Sequence, residues 1–542
     1  MMKGIPLPIV TLSEAKGLCC SENRRKRQRF FALLRMTPFR KEVCGCGLGV
    51  LLACAVHAQV IVEQGQSKTV RIGEQGRLVY ATDAKGNRLP DFSYVGYHSG
   101  EKPIPNMPVK MTLEPVPGDN TAAIQKAIDK VGCGAILLKR GVYRVEGVLR
   151  INTSGIVLRG EDATIVAAGY GDAKYKRTLI TVGNGDRLKV KPATKRVITD
   201  DYVPVGAQTF TVASAEGYRV GDRIAVYRPG TAKWIRSIGC DTIKTMPWTE
   251  GDYDFYFERT ITGLEGNRVT IDAPVVQALD KEFGGGAIFQ YETPGRVTEV
   301  GIENLRLISE FAAPVPGSPY GDPKETGKSE LHAWNAIKLN RNTENTWVRN
   351  VTGNYFGWSV VSASGTRATV QDCVSLGHAS QITGGRRYPF MIDGQLNLVQ
   401  RCVTFAGRHE FVTQARTAGP NVFVDCIGYD SKSSAGPHHR YSVGTLFDNV
   451  KSEREMESRF RGNSGTGHGW AGAQTCFYNC VAPKFAVQAP PGGMSWVLTG
   501  VAPPSLYYRQ VEERLGKKAL EYLTIPGQLE NMGRYLWVKK YE

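Results

Sequence analysis

Seven short segments between Asn304 and Cys480 alternate apolar and polar positions with the two-residue period of a strand, and each carries one small polar residue at the same place. They are Asn304 in IENLRL, Asn350 in VRNV, Cys373 in VQDCV, Cys402 in VQRCV, Cys426 in FVDCI, Asn449 in LFDNV and Cys480 in FYNCV. The steps are 46, 23, 29, 24, 23 and 31 residues, and 46 is twice 23. A β-rich segment at such a period, with almost no helical patterning, predicts a parallel β-helix whose turns stack. Each turn lays a strand on that of the turn before, about 4.8 Å away, so equivalent side chains form ladders. The asparagines and cysteines are expected in one inward ladder, amides bonding along the stack and thiols packing as small hydrophobes. One residue earlier, Arg349, Asp372, Arg401, Asp425, Asp448 and Asn479 are expected on the solvent side.

Upstream, the pattern changes to a helical one. Asn120 or Thr121 can cap a helix whose Ala123, Ile124, Ala127, Ile128 and Val131 form one apolar stripe, ended by Gly132. Strand-like runs follow (AILL, GVYRV, GIVLRG), up to Glu161. In spacing and residue type, Gly118 to Glu161 resembles the start of the pectate-lyase superfamily, the pectin-lyase-like right-handed parallel β-helices, in which such a helix covers the open end of the coil. The resemblance implies an all-β fold. It leaves the chemistry open, because lyases, glycosidases, epimerases and phage tailspikes share this start.

From about 199 to 300 the coil pattern is interrupted by alternating runs with Gly-Asn and Pro-Gly turns, which predicts a small antiparallel β insertion. Its Trp234, Trp248, Tyr253, Phe255 and Tyr256 suit either sugar stacking or the insertion's own core. The expected organisation is a mis-called start (1–35), a signal peptide (36–58), a β-rich lead-in (59–117), the cap and first coils (118–198), the insertion (199–300), the main coils (301–500) and a partly helical tail (501–542) packed on the last coils.

Charge and cysteines refine this picture. The chain of 542 residues is 42% apolar and 22% charged, which argues against wholesale disorder, and its 61 glycines suit a coil that bends several times per turn. The first 58 residues carry ten Lys or Arg against three acids, leaving +10 of the formal +17 on the remainder. A basic body suits nucleic acid, anionic lipid or an acidic polysaccharide. No nucleic-acid-binding signature is present. Arg40 and Lys41, the apolar stretch from Val43 to Val56 and Ala58 before Gln59 have the parts of a secretory signal, too short for a retained transmembrane helix. Export to the periplasm or beyond is expected, with lipid anchoring at Cys54 as the alternative. Beyond that point seven cysteines remain, an odd number, and stacked thiols are expected rather than disulfides.

Six of the eight histidines lie between His332 and His468. Counted from the ladder, Arg416, His438, His439 and His468 fall 10 to 12 residues before it on three consecutive turns, and His378, Arg408 and His409 fall 5 to 7 after it. All sit in Gly-rich polar turns, with Arg386 and Arg387 in GGRRYPF and Trp470 in GNSGTGHGW. A basic cleft suits a uronate polymer, which β-elimination cleaves. A base takes the C5 proton, a cation neutralises the adjacent carboxylate, and the C4 oxygen leaves. The assignment is His439 or His438 as base, Arg440 and Arg408 on the carboxylate and His468 as acid partner, with His409, Arg416, Arg386, Arg387, His378 and Trp470 binding substrate. No metal site is predicted, since no His/Cys spacing suggests zinc. Among lyases of the superfamily the base is often Lys or Arg with calcium held by carboxylates, so the resemblance implies calcium as an optional cofactor, although no Asp cluster stands out for it. The competing reading is a glycoside hydrolase using Asp425 and Asp448, ladder neighbours, with Asp393 and Glu410 as further candidates. A third is a glycan-binding adhesin. The expected partner is an acidic polysaccharide met by a monomer, with no nucleic acid and no transmembrane segment in the mature chain.

Overall fold

In the computed structural model eleven strands follow one another in a single parallel ladder, from Val109–Leu113 and Gly134–Leu138 through Trp347–Asn354, Leu398–Gln400 and Ser442–Asp448 to Met494–Thr499. Gln59–Gln64 closes its far end by pairing with Met494–Thr499, so the lead-in supplies the last rung. A second parallel sheet runs through Leu149–Ile151, Thr178–Val182, Asn335–Leu339, Ser359–Ala363, Phe390–Ile392, Phe411–Thr413 and Gly436–Pro437. The short strands Val374–Gly377, Val403–Phe405 and Ile427–Tyr429 form the third face. Three parallel faces wound by one chain make the β-helix, right-handed as crossovers between parallel strands are. The structure describes residues 58–168, 177–311 and 332–541. The readings for 1–57, including the signal peptide and Cys54, lie outside them. Residues Ala58–Leu536 form one unit, and the description concerns that unit.

Alternation fills the coil. Ile136, Leu158, Ile302, Val348, Val370, Val399, Phe423, Phe447, Phe477 and Val497 pair in register along the long sheet, all but Val497 at most 1% exposed. Phe423, Phe447 and Phe477 stack with ring centroids 5.0 and 5.1 Å apart. The helix Thr121–Lys130 covers the first coils with Ile124, Ala127 and Ile128, while Ala123 faces solvent. Its first turn is satisfied by Asp119, whose Oδ1 accepts from Thr121 N (2.9 Å), because Asn120 spends its amide on the carbonyls of Val116 and Gly118.

The ladder needs a correction. Cys373, Cys402 and Cys426 stack inward, free and buried as expected, but their continuation is Val450 and Cys480, not Asn449. Asn304, Asn350 and Asn449 belong to the preceding position, with Asp372, Arg401, Asp425 and Asn479, and all seven have φ between 48° and 56°. A left-handed corner there favours short polar side chains that can bond locally, which selects Asn and Asp. Asn350 Nδ2 does donate to Asn304 Oδ1 along the stack, at 2.9 Å.

This outer row is also not solvated. The helices Leu506–Leu515 and Lys517–Leu523 and the residues after them lie across it, reaching the middle of the long sheet rather than only the last coils. Arg401 forks onto Asp372 (3.0 Å twice) and donates to Leu523 O, while Gln528 Nε2 donates to Asp425 at 2.8 Å. Asp448 accepts from Ser505 Oγ (2.7 Å) and Tyr507 N (2.8 Å), and so anchors the start of the tail helix. The insertion is an antiparallel sheet built from strands between Lys189 and Glu292. Trp234, Trp248, Tyr253 and Phe255 form its core, Trp248 stacked on Tyr253 at 3.9 Å, and only Tyr256 of the five candidate platforms is half exposed.

Candidate functional site

Aromatic and imidazole rings follow one another along the edge where the second sheet begins each turn. Trp334, Trp358, Tyr388, His409, His438 and His468 succeed each other at centroid spacings of 6.4, 6.1, 5.0, 4.4 and 5.2 Å, and His439 lies 5.0 Å from both His438 and His468. Each ring comes from the residues flanking a second-sheet strand or from the loop after Arg461, so the stacking of successive turns sets the row. Two glycines make room for its end. A Cβ on Gly465 (φ +54°) would lie 2.4 Å from His468 Cε1, and one on Gly469 (φ +54°) would meet Trp248 at 2.4 Å.

The hydrogen bonds fix the tautomers. Arg461 Nη1 can only donate, and it lies 3.1 Å from His438 Nδ1, so that nitrogen carries a lone pair and Nε2 the proton. His438 Nε2 therefore donates to Tyr388 Oη at 3.1 Å. Arg408 Nη1 donates to the same oxygen, also at 3.1 Å, leaving the Tyr388 proton directed at neither. His409 Nδ1 donates to Ser434 O at 2.6 Å, and its Nε2 is buried without a partner. The Nδ1 atoms of His439 and His468 are likewise unpartnered.

Burial, then the neighbouring cations, hold these rings neutral. His409 and His439 are pushed down to about 3, His468 to about 4, and His438 well below its ordinary value. A carboxylate beside them, that of Glu457, accepts from Ser434 Oγ (2.7 Å) and Arg459 Nε (2.8 Å) and is 3% exposed. The row opens at His439 into a cavity of about 650 Å³ between the second sheet and the insertion, where Trp358, Ser362, Met391 and Tyr256 form walls and Arg416 part of the rim.

The structure therefore brings together His409, His438, His439, His468 and Arg408, and puts Arg416 on the same cavity, where its guanidinium donates to Asp252 O. Other sequence candidates are occupied structurally. Arg440 is 7% exposed and donates to the carbonyls of Thr466 and Met246, and Arg387 is buried on Ser380 O. His378 is held by Phe356 O (3.1 Å), with burial pushing it down to about 3, and Trp470 Nε1 donates to Ile238 O. Arg386 lies over Trp334 at 5.3 Å, at the other end of the ring row. The proposed carboxylate pair fails as a site, because Asp425 and Asp448 are 1% and 0% exposed beneath the tail. Glu410 is fully buried and pushed up to about 8 by that burial, and Asp393 is paired with Arg341 at 3.2 Å. Sequence reasoning missed Tyr388 and Arg461. The signal was present for Tyr388, which stands in the same GGRRYPF turn as the arginines that were singled out. Among the described residues no group of three or more His, Cys, Asp or Glu is placed to hold a metal ion, and no helix is long and apolar enough to cross a membrane.

No protein-family model and no curated protein matches the sequence. Solved structures do. The chain is similar to the tailspike protein gp49 from Pseudomonas phage LKA1 (14% identity, 70% of each chain, TM-score 0.38). It is also similar to an iota-carrageenase from A. fortis (9%, 68% of this chain and 58% of that one, TM-score 0.30). A third likeness is to the polygalacturonase from Erwinia carotovora (10%, 74% and 97%, TM-score 0.29). The expected parallel β-helix is the fold of this chain, as its stacked parallel sheets show.

Proposed function

We propose that this protein is an exported carbohydrate-active β-helix enzyme that cleaves a uronate-containing polysaccharide by β-elimination. The observation that carries the proposal is the composition of the row that meets the cavity at His439: four neutral imidazoles and two half-exposed arginines, Arg408 and Arg461, with the buried Glu457 beside them, while Asp252, Asp254, Glu258 and Asp393 on the cavity wall are bonded to other groups. Hydrolysis by two carboxyls needs both beside the scissile bond, whereas elimination needs a base, an acid and fixed positive charge where the carbanion develops. His439 opens on the cavity with a neutral ring and takes the C5 proton. A bound uronate carboxylate raises the pKa of the rings it faces, and His468, 5.0 Å from His439, takes a proton from solvent and serves as acid towards the C4 oxygen. Arg408 and Arg461 replace Arg440 as the cations facing the uronate carboxylate. Tyr388 and Arg461 position His438 through its two nitrogens. The apolar stretch from Val43 to Val56 behind Arg40 and Lys41 supports export.

The test is digestion of a panel of uronate-containing glycans with wild type, His439→Ala and Tyr388→Phe. Wild type should generate the ultraviolet absorbance of a C4–C5 double bond, His439→Ala should lose about 10²-fold or more in turnover, and Tyr388→Phe should lower kcat and shift its pH profile. Saturated reducing ends from wild type would overturn elimination, and binding without any product would leave a glycan-binding protein.

A further inference from the structure

The cavity beyond His439 holds cations that the imidazole chemistry does not use. Arg296 is committed to Glu258 at 2.6 Å and Arg341 to Asp393 at 3.2 Å. Two of the lining acids are also occupied: Asp254 accepts from Tyr227 Oη and Gly230 N, and Asp252 from Thr249 Oγ1. Arg187 and Lys338 line the same space, and among the described residues the side chain of neither makes a hydrogen bond or an ion pair. Arg187, exposed at the rim, shares the cavity lining with Arg341 and Arg416, and partial burial with their like charges pushes it below its usual range. Lys338 also acts on Asp393. The free acid on this rim is Asp186, exposed beside Arg187. Crowded, unpaired cations on a cavity wall are a cost to the empty protein that an anion relieves.

We propose that Arg187, Lys338 and Arg416 form a second acid-binding subsite, which takes the carboxylate or sulfate of a sugar further along the same chain than the one held at the imidazoles. This rests on the elimination reading for the first position and narrows the substrate: it must carry acidic groups on at least two of its sugars, and an isolated uronate in a neutral polymer fills only half the site. Trp358 and Tyr256, on facing walls, supply apolar surface for the rings between the two acids.

The experiment is calorimetric binding of oligogalacturonates and oligomannuronates, one to six units long, to wild type and to the double variant Arg187→Gln/Lys338→Gln, with product absorbance followed in parallel. In wild type the affinity should rise with length for one of the series, and the double variant should lose about tenfold on the longer oligomers, the loss expected for charge-assisted hydrogen bonds, while binding the monomer as before. Equal affinity of wild type and variant for the long oligomers, an equal loss on monomer and oligomer, or no binding of either series overturns the subsite. The two readings fail separately. Length-dependent binding that needs Arg187 and Lys338 but yields no unsaturated product removes elimination and keeps the subsite, and unsaturated product with unchanged kinetics in the variant does the reverse.

Discussion

Acid should unfold this protein through its imidazole row, and His409 gives the cleanest measure. It is 3% exposed, its Nδ1–H is bound to Ser434 O, and its folded pKa is pushed down to about 3 by burial and then by Arg408. In the unfolded chain the same ring titrates near 6.5. A depressed folded value means that the unfolded state binds the proton first, so the stability tied to this group is present above pH 6.5 and is lost as pH falls towards 3. Between pH 6.5 and 5 the loss is about 2 kcal/mol for one ring, at about 1.4 kcal/mol per pH unit. His438, His439 and His468 are shifted in the same direction, so the whole row should make the fold acid-labile. The assay is urea denaturation from pH 7.5 to 5 on wild type and His409→Asn, whose amide can keep the bond to Ser434 O without titrating. The variant's stability should fall less steeply below pH 6.5, by about one proton's worth. Identical slopes would show that His409 is already protonated in the folded protein and would remove the neutral-cluster argument.

Other consequences are more direct. In the chain from Gln59 onward, one thiol of seven, that of Cys133, should react with a thiol reagent while the protein is folded, and all seven after unfolding; fast reaction of Cys402 or Cys426 would contradict the stacked register. Cys402→Asp should destabilise by several kcal/mol, seen as a lower urea midpoint, because it buries an unpaired charge. Asp448 is pushed up to about 7 by burial, so its contribution is full below the unfolded value near 4 and is lost as pH rises through 7. Asp448→Asn should therefore flatten the decline in melting temperature between pH 5 and 8 and leave turnover unchanged; a dead but folded Asp448→Asn would restore the carboxylate pair as a candidate centre. Binding of a uronate oligomer should weaken steeply as salt rises, which calorimetry at two ionic strengths would detect.

The coil was legible because its cause is local. A two-residue alternation that recurs every 23 to 31 residues from Asn350 on leaves one way to bury every apolar face, although the step of 46 from Asn304 to Asn350 proves to be a single turn and not two. The register error came from treating Asn and Cys as equivalent small residues. The left-handed corner that selects Asn304, Asn350 and Asn449 is a backbone property, and it sits one position before the inward cysteines. The fate of Asp425 and Asp448 was hidden for a different reason: the tail that buries them meets them across 57 residues or more of sequence, and no periodicity encodes that contact. The imidazole cluster was visible in part as counts from the ladder, which put His438, His439 and His468 at one edge; His409, counted on the other side of the ladder residue, is brought to them by the fold. Which arginines stay available was not visible, because Arg387, Arg408 and Arg440 all stand in polar turns and are told apart by the groups that the fold presents to them, backbone carbonyls for Arg387 and Arg440 and the Tyr388 hydroxyl for Arg408.

The central claim is that His439 and His468 move protons for an elimination while the buried aspartates do not. One measurement tests it: initial rates of unsaturated-product absorbance on an acidic glycan for wild type, His439→Ala, His468→Ala, Asp425→Asn and Asp448→Asn, each checked for fold by its circular dichroism. The account predicts losses of about 10²-fold or more for both histidine variants and near wild-type rates for both aspartate variants. Active histidine variants, inactive aspartate variants and saturated products would contradict it.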